Sequence, residues 1–249
     1  MVKALGHAAW LKLRDRALPL DEVRLTALSP MLILAPHQDD ETLGCGGLLA
    51  AASRLGLAPR VAYLTDGSAS HLGSPTWPSE RLAQARKAEA LAALAELGVA
   101  ETQVCFLGWP DSRPFAVGAP DYQNSVDQII DWIMDFGPRS FWAPWREEQH
   151  CDHVATAGLA DDLAARLTPS PARMDYLVWG WSTPRLATRV RTPAWALDCP
   201  DTVDIRRSAL ACHQTQLGGV ITDAEASFQI PPKLAALTAR PTEIYLEGA

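Results

Sequence analysis

The 249-residue sequence predicts an α/β fold with a mostly parallel central sheet. Three observations predict it. Short apolar runs alternate with helix-patterned segments of ten or more residues, the arrangement of βαβ units. Loops rich in Ser, Gly and Pro separate the units. Two of the apolar runs stop at Ala-Pro and are followed at once by a burst of polar residues. With no internal repeat and no low-complexity linker, residues 1–249 read as one domain. It comprises an N-terminal helical extension at 1–29, a βαβ core at 30–180 and a C-terminal elaboration at 181–249.

In chain order, Trp10, Leu11 and Leu13 among basic residues suggest a helix ending near Pro19, packed across the domain rather than on a membrane. Met31 to Ala35 is the first strand and Thr42 to Leu55 the helix after it. Arg60 to Thr65 is a strand, and a loop runs from Ser68 to Ser79. Glu80 to Leu97 carries Leu82, Ala85, Ala90, Leu91, Leu94 and Leu97 at helical spacing, with Gly98 as the stop. Strands follow at Thr102 to Leu107, Arg139 to Ala143 and Asp175 to Trp179, separated by helices at Val126 to Phe136 and His153 to Leu167. Beyond Gly180 the pattern loosens: Ala194 to Leu197 suggests an edge strand and Ile205 to Gln216 a helix, while the tail from Pro231 has no clear pattern.

Composition narrows the function. A net charge of −7 argues against a nucleic-acid surface. Lys12, Arg14, Asp15 and Arg16 interrupt any signal-peptide core, and the longest apolar stretch, Leu43 to Leu57, is broken by Arg54. Five cysteines without CxxC spacing suggest reduced thiols, so a cytoplasmic location is expected. Gly44, Gly46 and Gly47 do not make a dinucleotide fingerprint, because the next required glycine position is Leu49; they suit close helix–strand packing instead. There is no Walker lysine.

The chemistry collects at two strand ends. Met31 to Ala35 and Pro36 deliver His37, Gln38, Asp39, Asp40 and Glu41. Arg139 to Pro144 deliver Trp145 to His153, including His150, Asp152 and His153. Open parallel sheets bind ligands beyond the carboxyl ends of their strands, where the strand order reverses. If these two strands are neighbours there, imidazoles and carboxylates converge on a site suited to zinc or ferrous iron. His37 and Asp40 can share a face, and His150 and His153 can both approach. Three ligands from this set leave a carboxylate and a histidine for proton transfer.

Ala35-Pro36-His37-Gln38-Asp39-Asp40-Glu41 resembles the His-Pro-Asp-Asp-Glu signature of the PIG-L/LmbE-like deacetylases, and His150-Cys151-Asp152-His153 resembles their His-Pro-Asp-His signature. The resemblance covers approximately residues 30 to 220. It implies a Rossmann-like three-layer sandwich and a zinc-dependent hydrolase that removes an N-acetyl or other N-acyl group from a small amino-sugar conjugate. It implies His37, Asp40 and His153 as metal ligands and Asp39 as general base. His150 would be oxyanion stabiliser or acid, with Asp152 orienting and charging it. Arg86, in Arg86-Lys87-Ala88-Glu89, and Asp111 would contact the sugar. Glu41 would brace the turn, and His213 would pack or cap a late helix. Among the loop tryptophans Trp77, Trp109, Trp145 and Trp181, Trp145 is the expected sugar platform. Arg185, Arg189 and Arg191 are candidates for an anionic group on the substrate. The alternatives are a metal-dependent phosphoesterase and a non-catalytic sugar- or metal-binding module. Gln38 and Cys151 replace the family's usual prolines, a change expected to alter turn flexibility more than metal ligation.

Overall fold

The structure, a computed structural model, describes residues 2–248. The first strands are β1 (Leu18–Pro19), β2 (Met31–Ala35), β3 (Arg60–Thr65), β4 (His71–Leu72) and β5 (Val104–Trp109). The others are β6 (Ser140–Pro144), β7 (Ala172–Tyr176), β8 (Ala194–Asp198), β9 (Ala226–Ser227) and β10 (Thr242–Glu247). The longer helices are α1 (His7–Arg14), α2 (Glu22–Leu28), α3 (Asp40–Arg54), α4 (Ser79–Glu96), α5 (Pro120–Ile133), α6 (Cys151–Arg166) and, after the four-residue α7 (Leu186–Arg189), α8 (Val203–Cys212). Two short helices follow, α9 (Gln214–Leu217) and α10 (Pro232–Ala235). Among the described residues no helix is long and apolar enough to cross a membrane.

Eight strands form one sheet in the order β1-β8-β10-β7-β6-β2-β3-β5, and β4 pairs with β9 in a small separate ribbon. From β5 across to β7 every neighbouring pair is parallel. Side chains of β2 alternate between two cores: Met31, Ile33 and Ala35 face one, Leu32 and Leu34 the other. The first core is closed by apolar residues of α1, α3, α4 and α8, the second by those of α5 and α6. A strand buried on both faces reads as the unbroken apolar run seen in β2. The expected three-layer, mostly parallel architecture is therefore present.

The chain turns back at β2. Its first crossover leads to β3 on one side, and β6 later arrives on its other side, with Met31, Leu32 and Ile33 opposite Ser140, Phe141 and Trp142. The switch point thus lies between the two strands that end in Ala-Pro.

Both ends of the chain differ from the sequence reading. The N-terminal segment is two helices joined through β1, whose Pro19 sits on a sheet edge where its missing N–H costs nothing. The strand expected at an edge, β8, is internal, covered on one side by β1. The tail resolves into β10, which runs antiparallel between β7 and β8. Only pairing across the whole chain decides such an insertion, so local pattern does not reveal it.

Three glycines let α3 lie close to its neighbours despite their cost to helix formation. A Cβ on Gly44 would sit 2.4 Å from the Tyr176 ring, and one on Gly47 would sit 2.8 Å from the Glu243 carboxylate. Glu243 in turn accepts from the Gly47 and Leu48 amides, and the Tyr176 hydroxyl donates to the Leu34 carbonyl at 2.9 Å. Gly44→Val should therefore overpack this contact and destabilise the fold by about 1–3 kcal/mol. A lowered urea midpoint at unchanged slope would show it; an unchanged midpoint would contradict it.

Candidate metal centre

Pairing of β2 with β6 sets the two strand-end clusters face to face. The His37 and His150 rings lie 4.9 Å apart, and His37 and His153 5.6 Å apart. One oxygen of Asp40, Oδ2, lies 3.2 Å from His37 Nδ1 and 3.2 Å from His153 Nε2. The outer nitrogen of each ring meets another carboxylate. His37 Nε2 is 3.0 Å from Asp152 Oδ2 and 3.3 Å from Asp111 Oδ1, and His153 Nδ1 is 2.6 Å from Glu148 Oε2. An outer carboxylate fixes the ring proton on its own side and turns the other nitrogen's lone pair inward.

Two inward lone pairs and a carboxylate repel one another unless a positive charge lies among them. Protons supply one answer. Burial alone would lower both imidazoles, yet Asp111, Asp152 and Asp40 raise His37 well above its ordinary range, and Asp40 and Glu148 raise His153 to about 9. Burial opposes ionisation of Asp40, but His153 and His37 outweigh it and hold that carboxyl well below the usual range. A divalent metal supplies the other answer, and the donor set fits one: two imidazoles, one carboxylate and second-layer carboxylates behind both rings. The inward Nε2 of the buried His153 makes no hydrogen bond of good geometry. Ligating atoms within 4.8 Å of one another occur in three overlapping groups here: His37, His150 and His153; His150, Cys151 and Asp152; and His37, Asp111 and Asp152.

Asp39 follows from the turn that carries it. Its φ of 145° lies outside the range a side chain normally tolerates. The conformation is held from several sides: Glu41 Oε2 accepts from the Asp39 amide at 3.0 Å, and Arg86 Nη2 donates to the Gln38 carbonyl at 2.9 Å and to Asp39 Oδ2 at 3.3 Å. The Asp39 side chain does not cap α3 and is left facing a cavity of about 300 Å³. Burial pushes its carboxyl up to about 7 against the pull of Arg86. Gln38, in the proline position, donates to the Thr65 carbonyl at 2.8 Å and ties the turn to the end of β3. Glu41 braces the turn as expected and lies 3.5 Å from His213 Nε2.

The remaining expected residues divide. His37, Asp39, Asp40, Arg86, Asp111 and His150 all line the cavity. Asp152 is nearer to His37 than to His150: its Oδ2 lies 3.8 Å from His150 Nδ1, which instead accepts from the Asp152 amide at 3.3 Å. Burial, then the neighbouring His37 and His153, lowers the His150 pKa. Trp145 does not line the cavity; it is buried in the core beneath Gly180. Trp109 and Trp181 are also buried, and Trp77 stacks on Arg81. The tryptophan at the cavity is Trp179. The sequence reading placed it at the end of a strand, but β7 stops at Tyr176, so Trp179 falls in the loop over the site. The cavity is not lined by Arg185, Arg189 or Arg191, and Arg189 pairs with Glu147.

Residues 32–164, over half the chain, match the family model described as PIG-L: GlcNAc-PI de-N-acetylase. The chain belongs to the PIG-L family. Solved structures share its fold. The N,N'-diacetylchitobiose deacetylase of Pyrococcus horikoshii is 20% identical with a TM-score of 0.61, over 88% of this chain and 82% of that one. The A40926 pseudoaglycone deacetylase Dbv21 is 21% identical with a TM-score of 0.62, over 88% and 97%. The same fold also carries the 4-carboxy-2-hydroxymuconate hydratase GalB of Pseudomonas putida, 20% identical with a TM-score of 0.58 over 73% and 77%. Fold likeness therefore leaves the reaction to the site.

Glu148 is the site residue that sequence reasoning missed. It is 3% exposed, and besides holding His153 it accepts from the amides of Val178, Trp179 and Gly180. One signal was present, an acid inside the second polar burst, but Glu147 beside it carries the same signal and is exposed. Glu148→Gln should weaken zinc affinity by about 10–100-fold, measured by competition with a chelating dye; unchanged affinity would contradict the role. Because the surrounding carboxylates raise the pKa of His37 and His153 in the metal-free protein, zinc uptake should release protons and tighten as pH rises. Calorimetry in buffers of different ionisation enthalpy would count them. Zero release at pH 7 would contradict the geometry.

Proposed function

We propose that the protein is a zinc-dependent N-deacetylase, with His37, Asp40 and His153 holding the ion and ferrous iron as a cation the same donors accept. The observation that carries the reading is Asp39, a buried carboxylate facing the cavity next to the His–Asp–His cluster in a PIG-L family chain. When bound, the ion polarises the acyl carbonyl and acidifies water.

The chain's own groups do the rest. Asp39 takes the proton from the attacking water and later returns it to the leaving amine, which departs neutral while the acyl group leaves as a carboxylic acid. Arg86 holds the Asp39 carboxylate in position. His150 Nδ1 accepts from the Asp152 amide, so the neutral ring carries its proton on Nε2 as a donor for the oxyanion. Asp152 and Asp111 orient His37.

Asp39→Asn should lower deacetylation of N-acetylglucosamine conjugates by about 10²–10⁴-fold while leaving zinc stoichiometry intact. Acetate release and metal content measured on one preparation would test it, and undiminished release would sink the assignment.

A further inference from the structure

The cavity has two unlike walls. On one, most of the charged and polar side chains are already paired within the protein. Arg86 donates to the Gly67 and Gln38 carbonyls and to Asp39. Asp111 accepts from the Ala69 amide and the Ser112 hydroxyl and faces His37. Ser70 Oγ lies between His71 Nδ1 and Gln216 Nε2. Sugar hydroxyls would have to compete with these bonds. The other wall is Leu43, Trp179, Phe228, Ile230 and Leu234, with the Trp179 and Phe228 rings 6.0 Å apart at 66°. Trp179 and Phe228 are only partly buried, so their faces remain available to a ligand.

This wall has its own supports. β9 pairs with β4, the Phe228 amide donates to the Ser70 carbonyl, and the Ile230 amide donates to the Gln216 carbonyl. The Trp179 loop is held by Glu148, the residue behind His153. Apart from Leu43, the wall lies outside residues 32–164, the part of the chain that matches the family.

We infer that this wall binds an apolar group of the substrate, so the protein selects N-acyl amines bearing an alkyl or aryl group beside the scissile amide over bare N-acetyl sugars. The inference rests on the deacetylase reading above. The apolar group has two sources, a longer acyl chain or an apolar substituent on the amine side, and reaction products distinguish them without requiring turnover.

Calorimetry on the zinc-loaded protein would compare hexanoate with acetate, and phenyl β-glucosaminide with methyl β-glucosaminide. Each methylene buried is worth about fourfold in affinity, so at least one pair should differ tenfold or more, and the pair that differs names the source. Phe228→Ala should collapse that ratio towards one, and Phe228→Leu should restore most of it. A ratio is read within one protein, so a general loss of fold does not mimic the result. Both pairs within twofold of each other, or Phe228→Ala weakening both members of a pair alike, would overturn the inference. Failure of the deacetylase reading is a separate result: no acid released from any N-acyl substrate.

Discussion

Asp40 Oδ2 stands 3.2 Å from an inward imidazole nitrogen on each side, while a carboxylate anchors the outer nitrogen of each ring. So much negative charge in a buried space is stable only around a positive centre, and the rest of the site serves that condition. Parallel pairing of β2 with β6 brings the two rings together at the switch point. The glycines of α3 allow the helix that starts at Asp40 to lie against Tyr176 and Glu243. The strained turn at Asp39 then presents a second carboxylate to the cavity, separate from the one between the rings.

Glu148 links this centre to the selection of a ligand. A single carboxylate holds His153 and three successive amides of the loop carrying Trp179. The position of the ring and the position of the apolar wall are thereby set by one group. Most of the polar half of the cavity comes from the family-matched segment, and most of the apolar half from residues after it.

The layered fold and the polar half were legible in the sequence because the chemistry is contiguous there. His37 to Glu41 and His150 to His153 each lie within a few residues of a strand end, and the alternation of strands and helices says which ends those are. What was not legible depends on distant contacts. Nothing local distinguishes Glu148 from Glu147, or shows that Asp152 Oδ2 lies closer to His37 than to His150. Trp179 reaches the cavity because β7 ends three residues earlier than its apolar run suggests, whereas Trp145 is buried against Gly180. The antiparallel insertion of β10 likewise depends on partners 44 to 73 residues away in sequence, such as Asp198 with Thr242 and Met174 with Glu247.

The most direct test of the central claim is anomalous diffraction at the zinc edge from crystals of the zinc-loaded protein. The account predicts a single strong peak within bonding distance of His37 Nδ1, Asp40 Oδ2 and His153 Nε2. A peak instead between His150, Cys151 and Asp152, or on the outer side of His37 between Asp111 and Asp152, would contradict it.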